Sequence, residues 1–483
     1  MLAERRGYVR KQQLFIGGRP YEAGQYVELR SPYSGEIIAE VASASARETG
    51  AAIAAAYEAR EVMRRMPAHE RAAILERVAD GLRQRREEAA RIIALEASKP
   101  VKYALGEVDR TIQTYKFAAE EAKRIHGETL SLGGAPGGEG RLAYTVREPI
   151  GVVGAITPFN FPMNLVAHKV GPAIAAGNTV VLKPAAQTPL SSYFIGELFQ
   201  EAGLPGGALN IVSGSGRTVG DLIVQDDRIA KITFTGSPEV GKSIRAKAGL
   251  KRVTLELGSN SAVIVDRDAD VQAIVPRCVM GAFSNQGQVC ISLQRVYVHE
   301  EVYESFAAAF SAAATELKLG DPLDPAVDVS AMISAREAER ALAWIAEAEA
   351  AGARVLAGGG MSKGILMPTV LTDAGDELSV SCREVFAPIA VIHKVKSIDE
   401  AIARVNHSSY GLQAGIYTNG LQNALKAAEE LHVGGVMIND IPTFRVDQMP
   451  YGGVKESGLG REGVKYALEE MTELKLIVIS KGF

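Results

Sequence analysis

The chain has 483 residues, more than a single hydrophobic core normally serves, so two or three domains are expected. Its 53 Lys and Arg nearly balance 57 Asp and Glu, leaving a net charge of −4, which excludes a chain organised around nucleic acid or an anionic membrane surface. No apolar run reaches the length of a membrane span, and the N-terminal stretch MLAERRGYVRKQQLF is a polar lead-in without the apolar segment of a signal peptide. The three cysteines, Cys278, Cys290 and Cys382, form no Cys-x-x-Cys. A disulfide framework or metal site is therefore not expected, and a reduced, cytoplasmic setting is.

In chain order, residues 49–125 carry apolar positions at helical spacing, interrupted at Lys99-Pro100. Residues 131–140, SLGGAPGGEG, hold five glycines and read as a flexible turn or the tip of a projecting hairpin. Apolar β-type runs then alternate with helical stretches: 151–157, 179–183, 209–213, 231–236 and 253–258. Strands apolar on both faces imply a parallel sheet covered by helices, hence a doubly wound α/β domain. A second series repeats the pattern, with strands at 262–265, 295–299, 385–395, 411–418 and 434–440 and helices at 269–285, 302–317 and 398–406. A helix at 462–472 and a lone strand at 475–480 close the chain; with residues 125–145 they suggest a detached β-element that pairs with another subunit. The expected fold class is α/β: two doubly wound domains plus a small β-element.

Three polar residues stand out. Cys290 follows a helix in the loop NQGQVC, a position open either to an inert core thiol or to a reactive one. Cys278 lies in the apolar run PRCVMGAF and is expected in the core, and Cys382 is read as equally inert. Glu256 ends an apolar strand: either it faces out beside Gly258, or desolvation raises its pKa to suit a general base. Asn160 sits at the carboxyl end of the strand 151–157, bracketed by Pro158 and Pro162, as a turn residue or as a donor to a developing oxyanion. Two glycine loops also follow strands. Gly214–Gly220 is not a G-x-G-x-x-G fingerprint, and Gly236-Ser237 opens a helix that could receive a phosphate or could simply be Ser-capped.

Taken in order, TPFNFP (157–162), LKPAAQTP (182–189), TFTGSPEVGK (233–242), LELG (255–258), NQGQVC (285–290), EVFAP (384–388) and YGGVKESGLGREG (451–463) resemble the aldehyde dehydrogenase superfamily over essentially the whole chain, with Glu256 34 residues before Cys290. The resemblance implies NAD(P)-dependent oxidation of an aldehyde to an acid through a cysteine thiohemiacetal and thioester. It implies that Cys290 is the nucleophile, Glu256 the base that activates water, and Asn160 with the Cys290 N–H the oxyanion hole. Lys169 and Glu462 match a proton relay behind Glu256. Thr157, Pro158, Lys183, Ala186, Gly236, Ser237, Gly241, Glu384 and Phe386 match the cofactor site. By the same resemblance, residues 1–124 and 146–257 form a Rossmann-like cofactor-binding domain and 258–445 the catalytic domain. Residues 125–145 and 466–483 form an oligomerisation element of a homodimer or homotetramer.

The departures are informative. Ala186 stands where NAD-preferring members often carry Glu, so NADP or dual use is expected. Gly258-Ser259-Asn260 replaces a frequent Gly-Gly-Lys, and Ala387 a frequent Gly. Asn164, His168 and Arg445 occupy positions that the resemblance places on the aldehyde side, which points to a short polar or anionic substrate of the lactaldehyde, glyceraldehyde, phospho-, sulfo- or semialdehyde type. For Arg445 a structural ion pair is the competing reading. A CoA-acylating semialdehyde dehydrogenase would share the fold but lack the water-activating base, and a non-catalytic scaffold of this fold would have lost one of the three central groups.

Overall fold

The structure, a computed structural model, describes residues 10–480. Residues 1–9, most of the polar lead-in, and 481–483, the end of the expected terminal segment, lie outside the described residues.

Five mutually parallel strands form the centre of the first sheet, in the spatial order Arg252–Glu256, Ile229–Thr235, Val152–Ile156, Thr179–Lys183 and Leu209–Ile211. Nearly all their residues are buried, as expected of strands covered on both faces. The register brings Lys183 opposite Ile156, Ile156 opposite Phe234 and Glu256 opposite Thr235, so the carboxyl ends lie level along one edge. Ligands bind along that edge in open α/β sheets.

The helical region 49–125 resolves into Ala46–Arg65, Ala68–Gln84, Arg86–Ala97 and Val101–Ala122. Ser45 and Glu48 form a reciprocal capping box at the first start. Ser98, left-handed at φ 51°, ends the third helix just before Lys99-Pro100, where the sequence places the stop. Tyr115 of the fourth helix is fully buried and meets the edge of Phe199 with ring centroids 5.6 Å apart.

The second sheet runs in the order Arg354–Ala357, Thr369–Thr372, Ile389–Val395, Arg295–His299, Ala262–Val265, Gln413–Tyr417 and Gly435–Ile438, parallel throughout except for the first pair. The third is antiparallel: Thr472–Ser480 pairs along Arg141–Pro149, which also pairs with Thr129–Leu130. Residues 131–140 are therefore the tip of a hairpin. Leu142, Leu474, Leu476, Val478 and Ile479 of this element are exposed.

Several elements lie where the sequence reading assigned none. Leu14–Ile16 and Arg19–Tyr21 add an antiparallel edge to the first sheet, and Gly458–Leu459 returns to the opposite edge to pair with Leu255 and Glu256. A further small sheet joins Arg10–Gln12, Tyr26–Arg30 and Ile37–Ala42. Among the described residues no helix is long and apolar enough to cross a membrane.

Candidate active site

The site forms where the first sheet's carboxyl edge meets a loop of the second α/β unit. The helix Val271–Phe283 ends early, and Asn285, Gln286 and Gly287 follow at φ 50°, 57° and 66°. Two consecutive non-glycine residues in the left-handed region store backbone strain, roughly 1–3 kcal/mol each, and persist only where their surroundings enforce them. Here the enforcement is explicit. Gln286 Nε2 donates to the carbonyls of Ser98 (2.9 Å) and Ala331 (2.8 Å), and Gln288 Oε1 accepts from Ile333 N at 3.0 Å. A Cβ on Gly287 would lie 2.1 Å from the Ala387 carbonyl, so only glycine fits. The helix break at Ser98 thus supplies an anchor for the loop that carries Cys290.

Asn160 is buried and its Nδ2 donates to the Gln288 carbonyl at 2.9 Å, while Asn285 Nδ2 donates back to the Asn160 carbonyl at 3.2 Å. One Asn160 amide proton is used in fixing the turn to the loop and the second remains available. The turn is held from below by Glu107, whose Oε1 accepts from Met163 N (2.9 Å) and Asn164 N (3.1 Å) and which pairs with the buried Lys99.

Cys290 is half-buried, and its Sγ lies 2.9 Å from the Tyr451 hydroxyl. Burial pushes its thiol up to about 11, against the opposing pull of the Tyr451 hydrogen bond and the Arg445 charge. Cys278 is fully buried as expected; Cys382 is exposed rather than core, with Sγ donating to the Glu377 carbonyl at 3.3 Å.

Glu256 ends its strand only 2% exposed, which settles it as inward-facing. Neither carboxylate oxygen has a hydrogen-bond partner among the described residues. Burial and the neighbouring Glu462 raise its pKa well above the usual range, outweighing Arg445, Lys169 and Arg461. A buried carboxyl without donors is most stable neutral at rest. Lys169 Nζ pairs with Glu462 Oε1 at 2.7 Å and also donates to Thr233 Oγ1 at 3.2 Å. Arg445 pairs with Glu462 Oε2 at 3.1 Å and stacks over the Tyr451 ring at 3.6 Å. Arg445 therefore makes the ion pair, yet its buried Nε has no partner and its charge acts on Cys290 and Glu256.

Asn164 and His168 are fully buried and converge on one group: Asn164 Nδ2 (3.0 Å) and His168 Nε2 (2.9 Å) both reach Asp447 Oδ1. Arg110 closes on the same oxygen at 2.8 Å. Burial would raise the Asp447 carboxyl, but His168 and Arg110 hold it far below the carboxylate range. Asn164 Oδ1 also accepts from Thr114 Oγ1 at 2.9 Å, and His168 Nδ1 has no hydrogen-bond partner among the described residues.

The residues expected to hold a dinucleotide line the sheet edge. Thr157 N donates to the Lys183 carbonyl at 3.1 Å, extending the pairing of these strands into the turn that carries Pro158. Lys183 is buried, its Nζ meets only its neighbour's carbonyl among the described residues (Pro184, 3.2 Å), and desolvation lowers it to about 8. Such an ammonium calls for a polar ligand. Ser237 caps the helix Pro238–Lys247 from outside, and Gly241 lets that helix close on Leu257, since a Cβ there would lie 2.5 Å from Leu257 Cδ2. A Cβ on Gly236 would likewise lie 2.4 Å from the Phe234 ring. Glu384 Oε1 accepts from Ser259 N at 3.0 Å, and burial raises its carboxyl to about 7. Phe386, at φ 49°, meets Phe159 edge-on at 5.8 Å. Ala186 is exposed. These groups fit an NAD(P) molecule laid along the edge: a helix N-terminus for phosphate, a buried cation, and a carboxylate for a ribose.

Sequence reasoning missed Tyr451, Asp447, Arg110 and Arg217. Tyr451 lies inside a matched motif, but its contact with sulfur does not show in sequence. Arg217 is exposed on the turn Gly216–Gly220, whose buried Gly220 packs beside Lys183.

Residues 20–477 match the Aldehyde dehydrogenase family. The chain is 46% identical over 472 residues to a 3-sulfolactaldehyde dehydrogenase of Priestia aryabhattai, covering 98% of each chain. Among solved structures, aldehyde dehydrogenase 21 from Physcomitrella patens in complex with its reaction product succinate is similar at a TM-score of 0.96 and 40% identity, covering 98% of this chain and 99% of that one. The glyceraldehyde-3-phosphate dehydrogenase GapN from Methanocaldococcus jannaschii, complexed with NADP, is similar at 0.91 and 41% identity, over 95% and 100%.

Proposed function

Because the chain belongs to the aldehyde dehydrogenase family, we propose that its NAD(P)-dependent oxidation of a polar aldehyde to the acid runs through Cys290 as nucleophile, Glu256 as base and Asn160 as oxyanion donor. The observation that carries the reading is Glu256: a buried carboxyl without hydrogen bonds, within electrostatic reach of a half-buried thiol on a strained loop. Such a carboxyl has no structural purpose and the right environment for proton transfer.

Cys290 gives up its proton to water and attacks the aldehyde carbon as the thiolate, and the carbonyl oxygen becomes an alkoxide held by the Cys290 N–H and the second Asn160 amide proton. The bound dinucleotide supplies the hydride acceptor. Glu256 then takes the proton of the water that attacks the resulting thioester, releasing the acid and the Cys290 thiolate. No direct hydrogen bond joins Glu256 to Lys169 or Glu462, so that ion pair acts on Glu256 through charge, or as a relay only with a water between. Glu256 supports hydrolysis over transfer to CoA, and the retention of all three groups speaks against a non-catalytic scaffold. We assign most of the cofactor site to the unit of residues 1–124 and 146–257, as far as it is described, and the nucleophile to 258–445, which also contributes Glu384 and Phe386 to the cofactor edge. The exposed apolar face of Thr472–Ser480 and its partner strand supports pairing with a second copy, in a homodimer or homotetramer. Three unpaired thiols support the cytoplasm.

The substrate we favour is a short aldehyde with an anionic or hydroxylated tail. Arg445, buried beside Cys290 with an unpartnered Nε, and Arg110, part-exposed near Phe161, support it. So do the sulfonate, phosphate and carboxylate in the names of the relatives. Purified protein assayed with short polar and long apolar aldehydes, reading reduced nicotinamide by absorbance, should turn over the polar set; activity confined to the apolar set defeats the assignment.

For the cofactor we favour NADP. Ala186 presents no carboxylate to repel a 2′-phosphate, Lys183 is a buried cation, and Arg217 has no ion-pair or hydrogen-bond partner among the described residues. A charge-assisted hydrogen bond is worth about 1.5–3 kcal/mol. Arg217→Ala should therefore raise KM for NADP about 10- to 100-fold and leave KM for NAD nearly unchanged. An equal effect on both cofactors removes Arg217 from phosphate recognition.

A further inference from the structure

Tyr451 stands out among the buried polar groups that the reaction above does not use. It is 2% exposed, and its backbone is clamped to Glu462 by two hydrogen bonds, Tyr451 N to Glu462 O at 3.0 Å and Glu462 N to Tyr451 O at 2.7 Å. Its ring lies among Val289, Ile291 and Leu412, with the Arg445 guanidinium on one face at 3.6 Å. Arg445 is itself tied to Glu462, so clamp and cation share one anchor. With ring and backbone fixed, the hydroxyl has one hydrogen-bond partner among the described residues, the Cys290 sulfur at 2.9 Å.

We propose that Tyr451 is a positioning residue for the Cys290 sulfur, its hydroxyl donating a hydrogen bond that stabilises the thiolate both as nucleophile and as leaving group, with the Arg445 cation on the ring strengthening that donor. The inference rests on Cys290 being the nucleophile.

The direction of the hydrogen bond follows from the surroundings. Burial holds the Tyr451 phenol protonated far above neutral pH, so it donates whenever the sulfur is charged. The charged groups that act on the sulfur are Glu256 and Glu384, which disfavour a thiolate, and Arg445, which favours it. Tyr451 is the direct hydrogen-bond donor in that set. In a water-poor site a hydrogen bond to an ionised acceptor is about twice as strong as a neutral one. A cation over the ring face draws electron density from the phenol and sharpens the O–H dipole.

The same bond serves a second time. When water attacks the thioester, a C–O bond forms, Glu256 takes the water proton, and the C–S bond breaks with its electron pair remaining on sulfur. The departing thiolate then accepts from Tyr451, whose proton stays on the phenol throughout.

The test uses the full-length, cofactor-free enzyme with Cys382→Ser, which removes the exposed competing thiol. The rate of inactivation by iodoacetamide is followed against pH, and the label is located by peptide mass. Because one pKa unit is a tenfold change in thiolate fraction, Tyr451→Phe should slow inactivation at pH 8 by about 10-fold and move its pH profile up by about one unit. The dissociation constant for NADP should not move, which reports an intact fold. Incorporating 3-fluorotyrosine at position 451, with a more acidic hydroxyl and nearly the same shape, should move the profile the other way and decides the matter if Tyr451→Phe does not fold. Superimposable profiles for Tyr and 3-fluorotyrosine, or for Tyr and Phe, overturn the proposal. If labelled Cys290 still supports aldehyde oxidation, the nucleophile assignment beneath it falls instead.

Discussion

Cys290→Ala is expected to remove aldehyde oxidation, by roughly 10⁴- to 10⁶-fold, because no other group can form the covalent intermediate. The fold should survive. The side chain is half-buried and makes a single hydrogen bond among the described residues, to Tyr451, so its loss costs about 1 kcal/mol. The loop itself is held by Gln286 and Gln288, which the substitution leaves in place. NADPH binding measured by its nicotinamide fluorescence should therefore match the parent while turnover disappears. Cys278→Ala is the control: that thiol lies in the core of the second α/β unit, where burial pushes it up to about 12, and its loss should change stability but not the chemistry. Substantial turnover by Cys290→Ala contradicts the mechanism outright.

The second large effect is at Glu256. Glu256→Gln is close to isosteric, and because neither carboxylate oxygen has a hydrogen-bond partner among the described residues the amide breaks no described contact. General base catalysis contributes roughly 10²- to 10⁴-fold, and steady-state turnover should fall by that factor. The first turnover should be spared, giving a burst of reduced nicotinamide close to one per site, followed by a stall. The pH dependence separates base from bystander. A carboxyl raised well above its usual range is protonated, and idle as a base, at acidic pH. The parent's kcat should therefore climb with pH as Glu256 ionises, and the climb should be absent from Glu256→Gln. A variant that loses activity yet keeps the parent's profile assigns the base elsewhere.

Much of the fold was legible because its strands are buried on both faces. Thr179–Lys183, Ala262–Val265 and Arg295–His299 read directly from short β-branched apolar runs. Arg10–Gln12 and Tyr26–Arg30 did not, because they are short, largely polar and part-exposed, with little apolar patterning to detect. Ala335–Ala350 went unassigned although Ser334 caps it, in a stretch where Ala and Glu dominate and few large apolar residues mark the buried side. At the site, Cys290, Glu256 and Asn160 were legible through motif order and spacing. What surrounds them was not. Asp447 collects Asn164, His168 and Arg110 from two other helices, and Tyr451 reaches the sulfur across 161 positions of sequence. Such contacts are decided by how the α/β units pack, which no local pattern encodes. Arg445 illustrates the limit: ion pair and substrate group were posed as alternatives, and the fold gives it the ion pair while leaving a buried donor free beside the thiol.

In the proposed reaction a covalent thioester forms at Cys290 and Glu256 clears it. The most direct measurement is the intact mass and peptide map of Glu256→Gln quenched in acid within the first turnovers with a short polar aldehyde and NADP. A mass increase equal to the acyl group, located on the peptide containing Cys290 and absent without cofactor, is the predicted result. Full turnover with unmodified Cys290, or an acyl group on another residue, would contradict it.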